Sequence, residues 1–400
     1  MKPALYSPHL SHFSIYSLTS KPIFIMRFYP IFLFALAGLF LISCQKDNPS
    51  ATAADDFQQY INEAEQRLAE ADALAEEELY VSERAPGVLS AGSVNGLSEA
   101  IAEVGPYGTV IVESGLHIET GMVTITYPVR IIGETGAVIQ STTTPSTDLP
   151  YIASPSIYID HAKQVQVEGL TFVPDPAIGQ GGTGILISYS DHALIRDNEF
   201  SEYLQAVVVH KSNQVRLYYN RAKGLLSEGY NSFTSFGFIV ASGKSAYLRG
   251  NVAEDYWGNY FVSGQNGILY RNTATAGETG FVLCTFPGLT GLPSGEEFIA
   301  AEVSATGWLT VDNRAVDGVR GYLVIDGTNN CRLVANHSAN NSLYDYEVVG
   351  PSERFGPPAL PTTFDNVLLI QGNEAIVKDC GVNTTISGGK LVDNDLDPCF

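Results

Sequence analysis

The chain is 400 residues long, 45% hydrophobic, and carries 22 Lys and Arg against 43 Asp and Glu, a formal charge of −21. Its length allows two or three domains, or one body if the architecture is a solenoid. So acidic a chain is set against non-specific binding of nucleic acid, and it repels a polyanionic glycan unless a cation bridges them or a local basic patch forms.

Residues 1–43 hold Lys2, Lys21 and Arg27 and no acid, so a chain beginning at residue 44 carries −24. Met26-Arg27 precedes an apolar run from Ile31 to Ile42 that ends Leu41-Ile42-Ser43-Cys44 and turns polar at Gln45-Lys46-Asp47. The run falls short of the roughly 20 residues a spanning helix needs. A small residue directly before a cysteine suits cleavage and thiol lipidation. These residues resemble a bacterial lipoprotein signal. The resemblance implies lipidation at Cys44, anchoring in the bacterial cell envelope, and a leader 1–43 whose true start is Met26.

Residues 44–93 read as a tether followed by an acidic helix. Asp55 to Leu79 contains nine acids, one cation (Arg67), and neither Gly nor Pro. Phe57, Ile61, Ala64, Leu68, Ala71 and Ala75 alternate steps of four and three, a heptad seam. With alanine at half of its positions, the seam favours a solvated stalk over a partner-binding coiled coil.

Gly96 to Val104 is predicted to be a short helix with Ser98 as its N-cap, broken by Gly105-Pro106-Tyr107-Gly108. β-Branched runs follow at Thr109 to Glu113, Met122 to Thr126 and Val129 to Ile132, punctuated by Gly115, Gly121 and Pro128. Beyond them lies a repeat. Gly184, Ala206, Gly237 and Gly258 each open an apolar run and are each followed, fourteen positions later, by Asn198, Asn220, Asn251 and Asn272. Ile195, Leu217, Leu248 and Leu269 stand three before those asparagines. A short repeat of this kind marks one supersecondary unit stacked on copies of itself. The first strand of a coil is expected at Gly184 to Ile187 and the second at Ala193 to Ile195. Stacked asparagines fall about 4.8 Å apart, close enough for amide-to-amide hydrogen bonds. The column therefore reads as a structural ladder that Asn313 and Asn336 extend.

The order of short helix, Gly-Thr-Val-Ile-Val, Gly115 and Val129-Arg-Ile-Ile-Gly133 resembles the N-terminal entry of pectin-lyase-like right-handed parallel β-helices. The resemblance covers roughly residues 94–390, with 391–400 as a tail. It implies an all-β, single-stranded parallel β-helix whose N-terminal helix caps the open end of the stack. Members of that superfamily include polysaccharide lyases, polygalacturonase-like hydrolases, epimerases, phage tailspikes and surface proteins without known chemistry. The fold alone does not choose among them.

Since the Gly-to-Asn interval is constant while the Asn-to-Asn step varies, added length enters after the Asn and gathers at one corner beside the first strands. The wall there is 173–183, 223–236 and 254–257, with further insertions at 285–305 and 350–363. Tyr230, Phe233, Trp257 and Tyr260 in and beside this wall are either sugar-stacking rings or packing for long loops. A hydrolase needs two suitably spaced carboxylates. The regular coils offer none, which leaves loop acids such as Glu228 and Asp255. A lyase or epimerase needs a base and a charge partner, and His210 with Lys211 is the pair available; the calcium ligands that the resemblance implies are missing at the matching face. Arg196, Tyr218, Arg249 and Tyr270, two before each Asn, point outward as a basic and aromatic column that either packs on itself or holds an anionic glycan.

Cys284, Cys331, Cys380 and Cys399 remain besides Cys44. Cys380 with Cys399 is the more plausible bridge, Cys331 reads as a buried thiol, and no cysteine spacing fits zinc. No metal site or cofactor is assigned, although Ca2+ stays open. The function expected is binding of an extracytoplasmic polysaccharide by a lipid-anchored envelope protein, with lyase, epimerase or hydrolase activity and a purely structural or adhesive role as the alternatives. The partners expected are a glycan and, through the anchor, a membrane, with no nucleic acid.

Overall fold

The computed structural model describes residues 53–78, 85–144, 154–229, 235–285, 293, 304–350 and 363–392. Three parallel sheets of 11, 12 and 9 strands run along one stack, and each central coil contributes a strand to each sheet in turn. One coil shows the plan: Gly181–Ser188 lies in the first sheet, Leu194–Arg196 in the second and Glu199–Ser201 in the third. Its neighbour repeats it in register, with Ile185 opposite Val207, Ile195 opposite Leu217 and Phe200 opposite Ala222. Side chains alternate between core and exterior. Ile185, Ile187, Ile195 and Phe200 are wholly buried inside the stack.

The third sheet gave no sequence signal, because strands such as Arg221–Lys223 and Val252–Glu254 are three residues long and send only Ala222 and Ala253 inward. Gly115–Glu119 and Ala137–Ser141 belong to it as well. The second sheet starts at Gly87–Leu89, ahead of the expected boundary at 94. Helix α2, which spans Leu97–Val104, buries Leu97, Ala100, Ile101 and Val104 at the N-terminal end of the core. Ser98 does not cap it: Gly96 is the N-cap, and the Leu97 N–H donates to Glu119 Oε1 at 3.0 Å.

The asparagine column forms a continuous chain of hydrogen bonds. Asn198, Asn220, Asn251 and Asn272 each donate from Nδ2 to Oδ1 of the next asparagine at 3.0–3.1 Å, and Asn272 continues to Asn313 and Asn336 at 3.0 Å. Each also donates to a main-chain carbonyl of its corner, as Asn251 does to Leu217 O at 2.7 Å. The residue before each ladder asparagine is left-handed: Asp197, Tyr219, Gly250, Arg271, Asp312 and Ala335 have φ between 53° and 64°.

The fourth Gly-to-Asn interval is not equivalent to the other three. Gly237 lies opposite Asn259, not Gly258, since Phe238 pairs with Tyr260 and Ile239 with Phe261. This coil is one residue shorter between its first and second strands, and a shift of one residue exchanges the two faces of a strand. Tyr260 therefore points into the core. It stacks between Phe238 and Phe281 at 5.4 and 4.6 Å, and its hydroxyl donates to Asn251 O at 2.7 Å. The stack continues through Tyr322 to Tyr346.

The acidic segment is helical as α1, Ala53–Glu78, but it is not a solvated stalk. Ala64 and Leu68 are buried at 0% and 1% exposure against the outer side of the second sheet, with Phe57, Tyr60, Ile61 and Ala71 partly buried beside them. Their partners include Leu194, Tyr218, Tyr247, Ile268 and Tyr270. The seam had a partner within the same chain, and its alanines let a helix approach a flat sheet closely. No helix of the described residues is long and apolar enough to cross a membrane.

Candidate functional site

The outer face of the first sheet is the expected floor of a cleft. Its outward row is Tyr158, Leu186, Val208, Ile239, Phe261 and Val282, an apolar cluster in which no member is more than 5% exposed. That face is closed to solvent. Trp257 is half-buried against this cluster, with its ring at right angles to Phe236 at 5.6 Å. Tyr230 and Phe233 lie outside the described residues, as do the leader 1–43, Cys44 and Cys399.

The candidate catalytic groups differ in their surroundings. His210 is fully buried on the same outer face, with Nδ1 3.0 Å from Ser188 Oγ. Burial, reinforced by the Lys211 charge, pulls its pKa down to about 4, so at neutral pH it is an uncharged and weakly basic imidazole. Lys211 turns to the surface, where Nζ donates to the Tyr189 hydroxyl at 2.9 Å and sits 5.3 Å from the centre of that ring. Asp255 holds a loop together: its carboxylate accepts the Ser227 N–H at 2.9 Å and the Ser227 hydroxyl at 2.6 Å. Glu228 is exposed one residue further along that turn. Among the described residues no group of three His, Cys, Asp or Glu side chains could hold a metal ion. Cys380 is in a disulfide, while Cys284 and Cys331 are buried free thiols.

The arginine column lines a cavity. Arg196 and Arg249 meet Arg130 and Arg216 around a cavity of about 390 Å³ on the second sheet, closed along one side by Asp72 of α1. This volume lies within the range of small-molecule sites. Glu168 anchors two of the four guanidiniums, pairing with Arg130 at 3.3 Å and also with Arg196. Arg196 further meets Asp197 at 3.2 Å on the rim. Arg216, 8% exposed, pairs with Asp72 at 3.5 Å. Arg249 differs. Its guanidinium lies 5.7 Å over the Tyr219 ring and has no carboxylate partner among the described residues.

Local backbone geometry builds that platform. Tyr219 takes φ 57° at the corner, and the next coil has glycine in the matching place. A Cβ on Gly250 would come within 2.6 Å of Tyr219 Cδ1, so the missing side chain gives the ring its bed. Burial, with Asp72 nearby, pushes the Tyr218 hydroxyl upward in pKa, so it stays neutral. Arg130 and Glu168 lie outside the regular repeat, on earlier coils, so aligning the four repeats could not bring them to this site.

The chain has the fold of pectin-lyase-like right-handed parallel β-helix proteins. Polygalacturonase from Erwinia carotovora ssp. carotovora superposes with a TM-score of 0.55 at 10% identity, covering 79% of this chain and 96% of that one. PfbA, a surface adhesin of Streptococcus pneumoniae, gives 0.49 at 12% identity over 74% of this chain and 89% of its own. The Dettilon tailspike protein gives 0.48 at 10% identity over 78% and 70%. Of these three only the polygalacturonase exceeds 0.5, and at such identity the likeness is one of fold. No protein-family model matches the sequence, and no curated protein matches it.

Proposed function

We propose that this protein is a non-catalytic binder of an acidic extracytoplasmic polysaccharide, held at the cell envelope by a lipid on Cys44. The observation that carries the reading is the cavity where Arg130, Arg196, Arg216 and Arg249 face Glu168 and Asp72 on a chain of charge −21. Guanidinium groups pair in two-pronged fashion with carboxylate or sulfate oxygens. Among the described residues Arg249 is the one with no carboxylate to satisfy it, and Tyr219 beneath it offers a ring edge to a sugar. The lipoprotein-like leader supports the location. The closed outer face of the first sheet and the engaged state of Asp255 favour binding over cleavage.

The test is calorimetric titration with polygalacturonate, alginate and heparin against neutral dextran, using wild type and Arg249→Ala. A charge-assisted hydrogen bond contributes about 1.5–3 kcal/mol, so Arg249→Ala should weaken acidic-glycan binding roughly 10- to 100-fold. Equal affinity of the two proteins, or release of reducing ends or unsaturated uronates, would refute the proposal.

A further inference from the structure

The second sheet carries arginines and tyrosines beyond the cavity, and α1 lies along them. Asp72 pairs with Arg216 at 3.5 Å, Glu65 with Arg271 at 3.7 Å, and Glu63 with Arg332 at 3.4 Å. The Tyr270 hydroxyl donates to Glu65 at 2.6 Å, and Arg67 donates to Asn266 O at 2.6 Å. From Arg216 to Arg332 the stripe rises four coils, about 19 Å at the spacing of neighbouring strands. From Asp72 back to Glu63 the helix covers about 13 Å of axis. The helix thus runs along the stack, opposite in direction to the rising coils, and presents its acids in sequence to the stripe.

We infer that α1 is an internal competitor for the acidic ligand and that the stripe beneath it is the continuation of the polyanion-binding surface. The inference rests on the proposed function and adds the regulation of that site. Ala64 and Leu68 dock on the buried sheet residues Ile268, Tyr270, Val311 and Val334, and the ion pairs around this apolar centre are partly exposed. Ion pairs of that kind are individually weak and are readily exchanged for others. Asp72 lines the open cavity itself, so a ligand acid group entering beside Arg249 meets Arg216 already held by a carboxylate. When the ligand takes Arg216, Asp72 is released, and the next acids of the polymer face Arg271 and Arg332. A polyanion fits this surface because the occupant already there is a row of carboxylates.

The experiment uses the full chain and polygalacturonate as probe, with affinity from titration and the exposure of residues 53–78 from hydrogen exchange. The variants are Glu63→Gln/Glu65→Gln/Asp72→Asn, which cancels the competing charges, and Leu68→Ala, which weakens docking without changing charge. Glu70→Gln removes an exposed acid that accepts a hydrogen bond from Gln66 on the same helix. The triple variant is expected to bind about 10-fold more tightly, Leu68→Ala to bind more tightly, and Glu70→Gln to match wild type. Polygalacturonate, but not dextran, should speed exchange in α1 of the wild type. Equal affinity of the triple variant and wild type, unchanged α1 exchange, or an equal gain from Glu70→Gln would overturn the inference, and loss of binding in Arg249→Ala would then show that the proposed function still stands. If neither wild type nor the triple variant binds polygalacturonate, alginate or heparin, both are wrong.

Discussion

Replacing Asn251 with alanine tests whether the asparagine ladder holds the stack together. Oδ1 of Asn251 accepts both the main-chain N–H and Nδ2 of Asn220 at 3.0 Å, and its own Nδ2 donates to Leu217 O at 2.7 Å and to Asn272 Oδ1 at 3.0 Å. Alanine removes all four bonds. The Asn220 amide nitrogen still binds Ile195 O and Asn272 Oδ1 still accepts the Asn251 N–H, so those two groups are not stranded. The Asn220 N–H loses its partner in a wholly buried corner, while the Leu217 carbonyl keeps its bond in the strand ladder. At about 1–3 kcal/mol for the stranded group and about 1 kcal/mol for the other bonds lost, Asn251→Ala should cost about 3 kcal/mol. Urea unfolding followed by the fluorescence of buried Trp308 measures the loss. Gln66→Ala, which removes an exposed bond to Glu70, is the control and should change stability by less than about 0.5 kcal/mol. A loss below about 1.5 kcal/mol for Asn251→Ala would refute the reasoning, because it would mean that the corner satisfies its main chain without the ladder.

His210 should make the fold sensitive to acid. Its folded pKa of about 4 lies below the ordinary value of 6.5, so it contributes stability that is present above about pH 6.5 and lost as pH falls toward 4. The difference amounts to roughly 3 kcal/mol. Urea midpoints across this range should show that slope in wild type and lose it in His210→Gln, and parallel slopes would sink the assignment. Tyr260→Phe should lower stability by about 1 kcal/mol through loss of its bond to Asn251 O, and it should leave glycan affinity unchanged. Weakened glycan binding with stability intact would return Tyr260 to the ligand site.

The stacked architecture was legible because the ladder asparagines and the inward leucines obey fixed spacing. One shortened coil is masked in the sequence, since Gly258 imitates the glycine that opens the coil before it, and spacing alone would turn Tyr260 from core to surface. The docking of α1 was only half visible. Its apolar seam could be read, but the matching surface is spread over Leu194, Tyr218, Tyr247 and Tyr270 on separate coils. The arginine site was visible as the column of Arg196 and Arg249. Glu168, which fixes Arg196, and Asp72, which closes the cavity, come from segments that no repeat connects to it. The closed face of the first sheet had its own sign in the apolar residues Leu186, Val208 and Ile239, which suit a covered surface better than a floor exposed to sugar.

The left-handed residue ahead of each ladder asparagine has a consequence for how the sequence can change. In six coils this place holds Asp, Tyr, Gly, Arg, Asp and Ala, so five of the six bear a Cβ in a conformation that disfavours one by about 1–2 kcal/mol. The corner geometry is imposed by the coils on either side, and the residue identity at the corner is left comparatively free. Tyr219 shows the use made of that freedom: a position that packing would fill best with glycine carries the ring beneath Arg249. Corners of this kind let a solenoid acquire and lose surface groups one coil at a time without altering its core.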